Sequence, residues 1–195
     1  MVTPRLPRAA RRAQLIEAAA GAFLDGGFEA TSMDDVAQAA GVSRLIVYRI
    51  FESKQDLYRA VLTTVLTEIA QQFAGMDIET VRATGAAKLV VPVARAHPDA
   101  FRVLVRDAWR EPLFADLALE FRGYVTSYAR AILANYITDD ELVLDWAART
   151  AGAHMVEGLC TWLDVGDPAR DDEFGDLMTR GLRGLAGGWM GSAGR

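Results

Sequence analysis

Arg44, Leu45, Tyr48 and Arg49 fall at the spacing that gathers side chains on one face of a helix. Two guanidiniums, a phenol and an aliphatic group facing outward together suit hydrogen bonding to base edges and phosphates, with apolar contact to thymine methyls. Upstream, Arg5, Arg8, Arg11 and Arg12 crowd the first twelve residues, which hold no acid. Such an arm either meets DNA, along phosphate or in a minor groove, or is a solvated tail. Reactive chemistry is sparse elsewhere. Two histidines and one cysteine, Cys160, supply neither a nucleophilic triad nor a metal site, and the chain contains no P-loop. The acids Asp139 and Asp140 fit the first turn of a helix better than a catalytic pair. The expectation is a binding protein, not an enzyme, with no metal and no cofactor.

The outward face needs a scaffold, and the flanking residues provide one. Met33 to Ala40 reads as a short helix, with Thr31 and Ser32 as candidate caps and Asp34 and Asp35 in its first turn. Gly41 ends it, and Ser43 is placed to cap a second short helix over Arg44–Phe51. Val36, Ala37 and Ala40 point inward on the first helix, and Val47 and Phe51 on the second. The small alanines allow a steep, close crossing. This is the pattern of a helix-turn-helix, although taken alone it also describes a plain helical hairpin. Before it, Arg11–Asp25 forms a helix with Leu15, Ile16, Ala19, Ala22 and Phe23 on one face, stopped by Gly26 and Gly27. After it, Ser53 with Asp56 three residues on starts a fourth helix that reaches Gln72.

No β alternation or hairpin turn interrupts the remainder, so the fold class is all-α, with about nine helices. The later ones are expected over Ile78–Ala96, Pro98–Arg110, Leu113–Ile137, Asp139–Leu163 and Asp171–Leu185. Pro92 should kink or split the first of these. The glycine-rich residues from Gly187 to Gly194 are expected to fray. A head over residues 1–56 and a body over 57–195 is the expected division. Charge supports it: residues 1–60 carry eight Lys/Arg against seven Asp/Glu, the remainder thirteen against nineteen. No apolar run is long enough to span a membrane, and Met1–Arg12 has no apolar signal core, so a cytoplasmic location is expected.

From Arg12 to Leu62 the chain resembles the TetR family of transcriptional regulators. The resemblance rests on three blocks at fixed spacing. They are Ile16…Ala19…Phe23…Gly27-Phe28…Ala30-Thr31, then Val36-Ala37…Ala40-Gly41-Val42-Ser43, then Tyr48…Phe51…Ser53-Lys54…Leu57. It covers roughly a quarter of the chain. It implies a homodimer of two-domain helical subunits that binds a palindromic double-stranded DNA operator, most often as a repressor, and releases it on binding a small molecule. Position by position, it implies that Arg44, Leu45, Ile46 and Arg49 face base edges and that Tyr48 and Lys54 hold phosphate. Thr31 and Ser43, at helix starts, are candidates for further phosphate contacts, as are Arg8 and Arg11 in the arm. Leu45 and Ile46 depart from the family pattern, which has smaller or more polar residues there. They suit thymine methyls or packing. A helical carrier or protein-interaction module whose helix-turn-helix does not bind DNA is the competing expectation.

The helix expected over 139–163 carries Asp145, Arg149, Glu157 and Asp164 on one side. Leu144, Ala147, Ala148, Ala151, Met155, Gly158, Leu159 and Trp162 fill a wide opposite arc. So broad an arc buries either against a second subunit or wholly within its own. The family architecture implies a four-helix dimer bundle, with Ala148, Gly152, Leu159, Leu177, Leu182 and Leu185 as interface candidates. For a mostly apolar effector pocket the candidates are Trp109, Phe114, Phe121, Tyr124, Tyr128, His154 and Trp162. The same aromatic stripe would serve equally as core.

Overall fold

The computed structural model describes residues 6–137 and 140–189, and these form ten α-helices with no strand among them. They gather into two compact units. One joins the residues up to Leu66 with His97–Ala118; the other joins Thr67–Ala96 with the residues from Leu119 onward. Residues well beyond position 56 thus belong to the same unit as the head.

In the first unit, α1 (Arg8–Ala30) buries Leu15, Ile16, Ala19, Ala20 and Phe23 along one face. Regular geometry breaks at Gly27, whose φ of 75° suits a residue without a Cβ, and a last turn carries Phe28 inward. Ser32, not Thr31, caps α2 (Met33–Ala39). The Asp35 amide donates to Ser32 Oγ at 3.2 Å, and the Ser32 amide donates back to Asp35 Oδ2 at 2.8 Å. The Ser32 hydroxyl, which donates to Asp35 Oδ2 at 2.7 Å, and then the Ser32 amide hold the Asp35 carboxyl below its ordinary range. Gly41, at φ 63°, then reverses the chain. Its amide reaches the Gln38 carbonyl and the Val42 amide the Ala37 carbonyl, so both of these carbonyls at the end of α2 are satisfied. Replacing Gly41 with Val forces a β-branched residue into the left-handed region. We expect it to destabilise the unit by about 1–2 kcal/mol, visible as a lowered Tm in thermal unfolding.

A short α3 (Arg44–Tyr48) follows, and Ser53 caps α4 (Lys54–Phe73) by accepting from the Asp56 amide at 3.0 Å. From the later segment, α7 (Pro98–Arg102) continues into a π-helical turn over Val103–Asp107 and a 3-10 turn over Ala108–Arg110. Phe23, Phe28, Tyr58 and Phe114 form an aromatic cluster with ring centroids 4.6 to 6.2 Å apart. Burial pushes the Tyr58 phenol far above its usual range, with the Glu111 and Asp107 carboxylates adding to the shift.

In the second unit the expected helix over 78–96 is two helices, α5 (Ile78–Thr84) and α6 (Ala86–Ala96). The break falls at Gly85, not at Pro92. Gly85 takes φ 88°, and a Cβ there would lie 2.4 Å from Thr179 Oγ1. Pro92 stays inside α6 on an exposed face, where the carbonyl it leaves unpaired can meet water. Three longer helices follow: α8 (Ala115–Leu133), α9 (Glu141–Val165) and α10 (Asp171–Trp189). Asp140 caps α9; Asp139 lies outside the described residues. Instead of fraying after Leu185, α10 continues to Trp189, which sits edge-on to Trp146 at 5.1 Å. Met190–Gly194 lie outside the described residues.

Asp171 ties three helices of this unit together. Its carboxylate accepts from Arg95 of α6, at 3.0 to 3.3 Å, and from Trp162 Nε1 of α9, at 2.6 Å. Burial alone would raise its pKa, but the hydrogen bonds from Arg95 and Trp162 and the Arg95 charge together hold it below the usual carboxylate range. A depressed folded-state pKa stabilises at pH above the unfolded value and is lost as pH falls through the folded one. Asp171→Asn should therefore cost about 1–3 kcal/mol at neutral pH. In chemical denaturation followed against pH, the gap from wild type should close on acidification below about pH 4.

Candidate nucleic-acid interface

Val36 and Ala37 of α2, Ala40 at its C-cap, and Val47 and Phe51 are all buried where α2 packs on α3, and this packing fixes α3. Val47 and Phe51 are 0% and 1% exposed. From α1, Gln14 Nε2 donates to the Ala40 carbonyl at 3.0 Å, pinning the turn, while Arg11 donates to the Gln14 side chain at 2.5 Å. The Arg12 guanidinium lies over the Phe51 ring at 5.1 Å.

With Val47 inward, Arg44, Leu45, Tyr48 and Arg49 all stand exposed on the opposite face. Of the two aliphatic departures, Leu45 is 78% exposed and available to a thymine methyl, whereas Ile46 is half-buried. Arg44 is already held. Its Nη1 donates to Asp34 Oδ2 at 2.9 Å, its Nη2 lies 3.4 Å from the Tyr48 hydroxyl, and its guanidinium stacks 5.1 Å from the Tyr48 ring centre. By sequence Asp34 has only a helix-dipole role. The available signal is its place in the first turn of α2, which the Gly41 reversal brings beside the first turn of α3.

The remaining expected contacts divide. Arg8 is exposed at the start of α1, and Arg5 lies outside the described residues. Ser43 is exposed in N-cap position, but its hydroxyl makes no bond to the first turn of α3. Thr31 is 5% exposed, and its hydroxyl donates to the Gly27 and Ala22 carbonyls, so it serves the end of α1. Lys54 is also engaged there. Its ammonium donates to the Phe28 and Glu29 carbonyls at 2.7 and 3.0 Å and lies 4.4 Å from the Phe28 ring centre. One of its three protons remains for a phosphate.

The seven aromatic and histidine candidates fall in both compact units, and each is placed within its own. Phe114 is 1% exposed in the cluster with Phe28 and Tyr58, which makes it head core. Trp109 is exposed in the same unit, stacked under Arg110. Tyr124 is 59% exposed and bonded to Glu120, Tyr128 packs on Phe73 at 5.1 Å, and Phe121 is buried. His154 and Trp162 line one concavity together. It is an open groove of about 360 Å³ between α9 and α10, lined also by Glu157, Gly158, Thr161, Val165 and Phe174.

The interface candidates divide by burial within the chain. Ala148 and Leu159 are 0% and 1% exposed. A Cβ on buried Gly152 would meet Val125 of α8 at 2.9 Å. Gly152 therefore faces α8 of its own chain, and α9 packs on both α6 and α10, so its wide apolar arc finds cover within one chain. Leu182 packs on the core around Leu144 and Ala186. Leu177 and Leu185 remain exposed, joined by Leu142 and Trp146 at 80% and 50%, two residues the helical wheel did not select.

Residues 15–61 match the family model described as bacterial regulatory proteins, tetR family. The transcriptional activator FasR of Mycolicibacterium smegmatis is 52% identical over 58 residues, which are 30% of this chain and 26% of that protein. This chain therefore matches about a quarter of that relative's length. A TetR-like regulator from Rhodococcus sp. RHA1 superposes with a TM-score of 0.72 at 24% identity, covering 94% of this chain and 100% of that one. AibR, in complex with isovaleryl coenzyme A and operator DNA, superposes with a TM-score of 0.62 at 15% identity, covering 87% and 96%. Among the described residues, no helix is long and apolar enough to cross a membrane, and no group of three His, Cys, Asp or Glu could hold a metal ion.

Proposed function

We propose that this chain, which belongs to the TetR family of transcriptional regulators, binds a palindromic operator as a homodimer, represses there, and is released by a small, mostly apolar effector. The observation that carries the reading is the exposed face of α3, with Arg44, Leu45, Tyr48 and Arg49 over a buried Val47. A helix so mounted offers its outward side chains to a major groove and leaves its flanks for phosphate. Leu142 and Trp146 on α9, with Leu177 and Leu185 on α10, support the dimer, since large apolar side chains left exposed on two packed helices suit an association surface. The AibR complex, in which a protein of this fold holds both an acyl coenzyme A and DNA, supports a small-molecule effector, though not its apolar character. The whole protein acts in the cytoplasm and has no catalytic role in this reading.

The test is fluorescence anisotropy on a duplex carrying the palindromic region beside the chain's own gene, across about 50–300 mM salt. Affinity should fall steeply with salt, and cross-linking should trap two subunits on one duplex. Binding that is absent, or indifferent to salt, on this duplex and on randomised palindromes would favour a carrier or protein-interaction role.

A further inference from the structure

We propose that Asp34 is a specificity-determining positioning residue. Its carboxylate fixes the Arg44 guanidinium so that the remaining donors meet a guanine edge and not the nearest phosphate. This rests on the reading of α2 and α3 as a DNA-reading unit.

Arg44 is restrained from three directions, by Asp34 at one amino group, the Tyr48 hydroxyl at the other and the Tyr48 ring beneath. A guanidinium carries five N–H donors; two are engaged here, and a bidentate contact to guanine O6 and N7 needs only two of the remaining three. Both partners of the ion pair are more than half exposed, at 62% and 56%. Pairs so exposed add little to folding stability. The consequence of this one therefore lies in where the guanidinium points. Asp35, its neighbour, is closed onto Ser32 and does not compete for Arg44.

Electrostatics act in the same direction. An unrestrained arginine tip is drawn to whichever phosphate it passes, an attraction blind to sequence. An adjacent carboxylate offsets the positive charge and repels phosphate oxygens, while the neutral base edge still accepts hydrogen bonds. Asp34 thus lowers sequence-independent affinity and raises discrimination at one base pair.

Palindromic duplexes selected from a randomised library by the wild-type chain provide the probe. Affinities are then measured for the best duplex, its single base-pair variants and a scrambled duplex. Asp34→Ala should bind the scrambled duplex more tightly and lose about tenfold of discrimination at a single position, the one at which Arg44→Ala acts. Asp34→Asn keeps an acceptor and should recover part of that discrimination. In an Arg44→Ala background, Asp34→Ala should leave discrimination unchanged. An equal change on every duplex, or a loss of discrimination that persists without Arg44, overturns the proposal while leaving DNA binding intact. A wild-type chain that selects no duplex overturns the DNA-reading premise as well.

Discussion

Phe114→Ala is expected to remove about 3–5 kcal/mol of stability, the range for deleting a fully buried aromatic side chain. The ring touches Phe28 and Tyr58 at centroid distances of 5.1 and 4.6 Å, and the Arg59 guanidinium covers it at 5.5 Å. Deletion opens a void between elements that are far apart in sequence, with little freedom to collapse into it. The readout is the midpoint of chemical unfolding. The affinity of DNA binding should fall with temperature far below the wild-type transition, because the same cluster seats the α1 turn that Lys54 caps. A variant of native stability whose only defect is in effector release would return Phe114 to a ligand pocket.

Arg44→Ala and Arg49→Ala are each expected to cost about 1–3 kcal/mol of operator affinity, concentrated at one base pair, with guanine the preferred partner. Both side chains are exposed on α3, so truncation leaves the packing of Val47 and Phe51 untouched and Tm close to wild type. Leu45→Ala should act differently, weakening binding where a thymine methyl is replaced by hydrogen. If either arginine variant loses affinity by the same factor on all operator variants, that arginine holds phosphate and does not read bases.

The head was legible in sequence because local chemistry dictates its boundaries. Ser53 is a cap wherever a helix begins behind it, and Gly41 tolerates a backbone reversal that Val42 would not. The apolar spacing of Val36, Ala37, Val47 and Phe51 leaves only one way to face the two short helices. Thr31 and Ser32 show the limit of such reasoning, since both are good caps by type. Burial and a carbonyl four residues back decide that Thr31 closes α1 while Ser32 opens α2. Pro92 is the kink or break that sequence predicts for its segment, but the close approach of Thr179 makes Gly85 the break, and nothing local to residues 78–96 announces that contact.

The body was legible as helices and little further. Periodicity identifies an apolar arc without saying which neighbour covers which part of it. Their place on the arc points Ala148, Gly152 and Leu159 toward a partner, yet all three are buried within the chain, Gly152 against Val125 of α8. Leu142 and Trp146 lie beyond the arc's edge and stay uncovered. Aromatic type is equally silent on destination, which is why Phe114, Trp109 and Tyr124 part company once the chain folds.

Residues up to Leu66 share one compact unit with His97–Ala118, and this bears on how such a protein can be recombined. A chimera joined just after α4's first turns would inherit Phe28 and Tyr58 but take residue 114 from the foreign body. Interchangeable heads would then require that the donor and the recipient agree at position 114. A graft that moves 97–118 together with the first 66 residues carries its own plug, and should tolerate unrelated bodies where the contiguous graft fails.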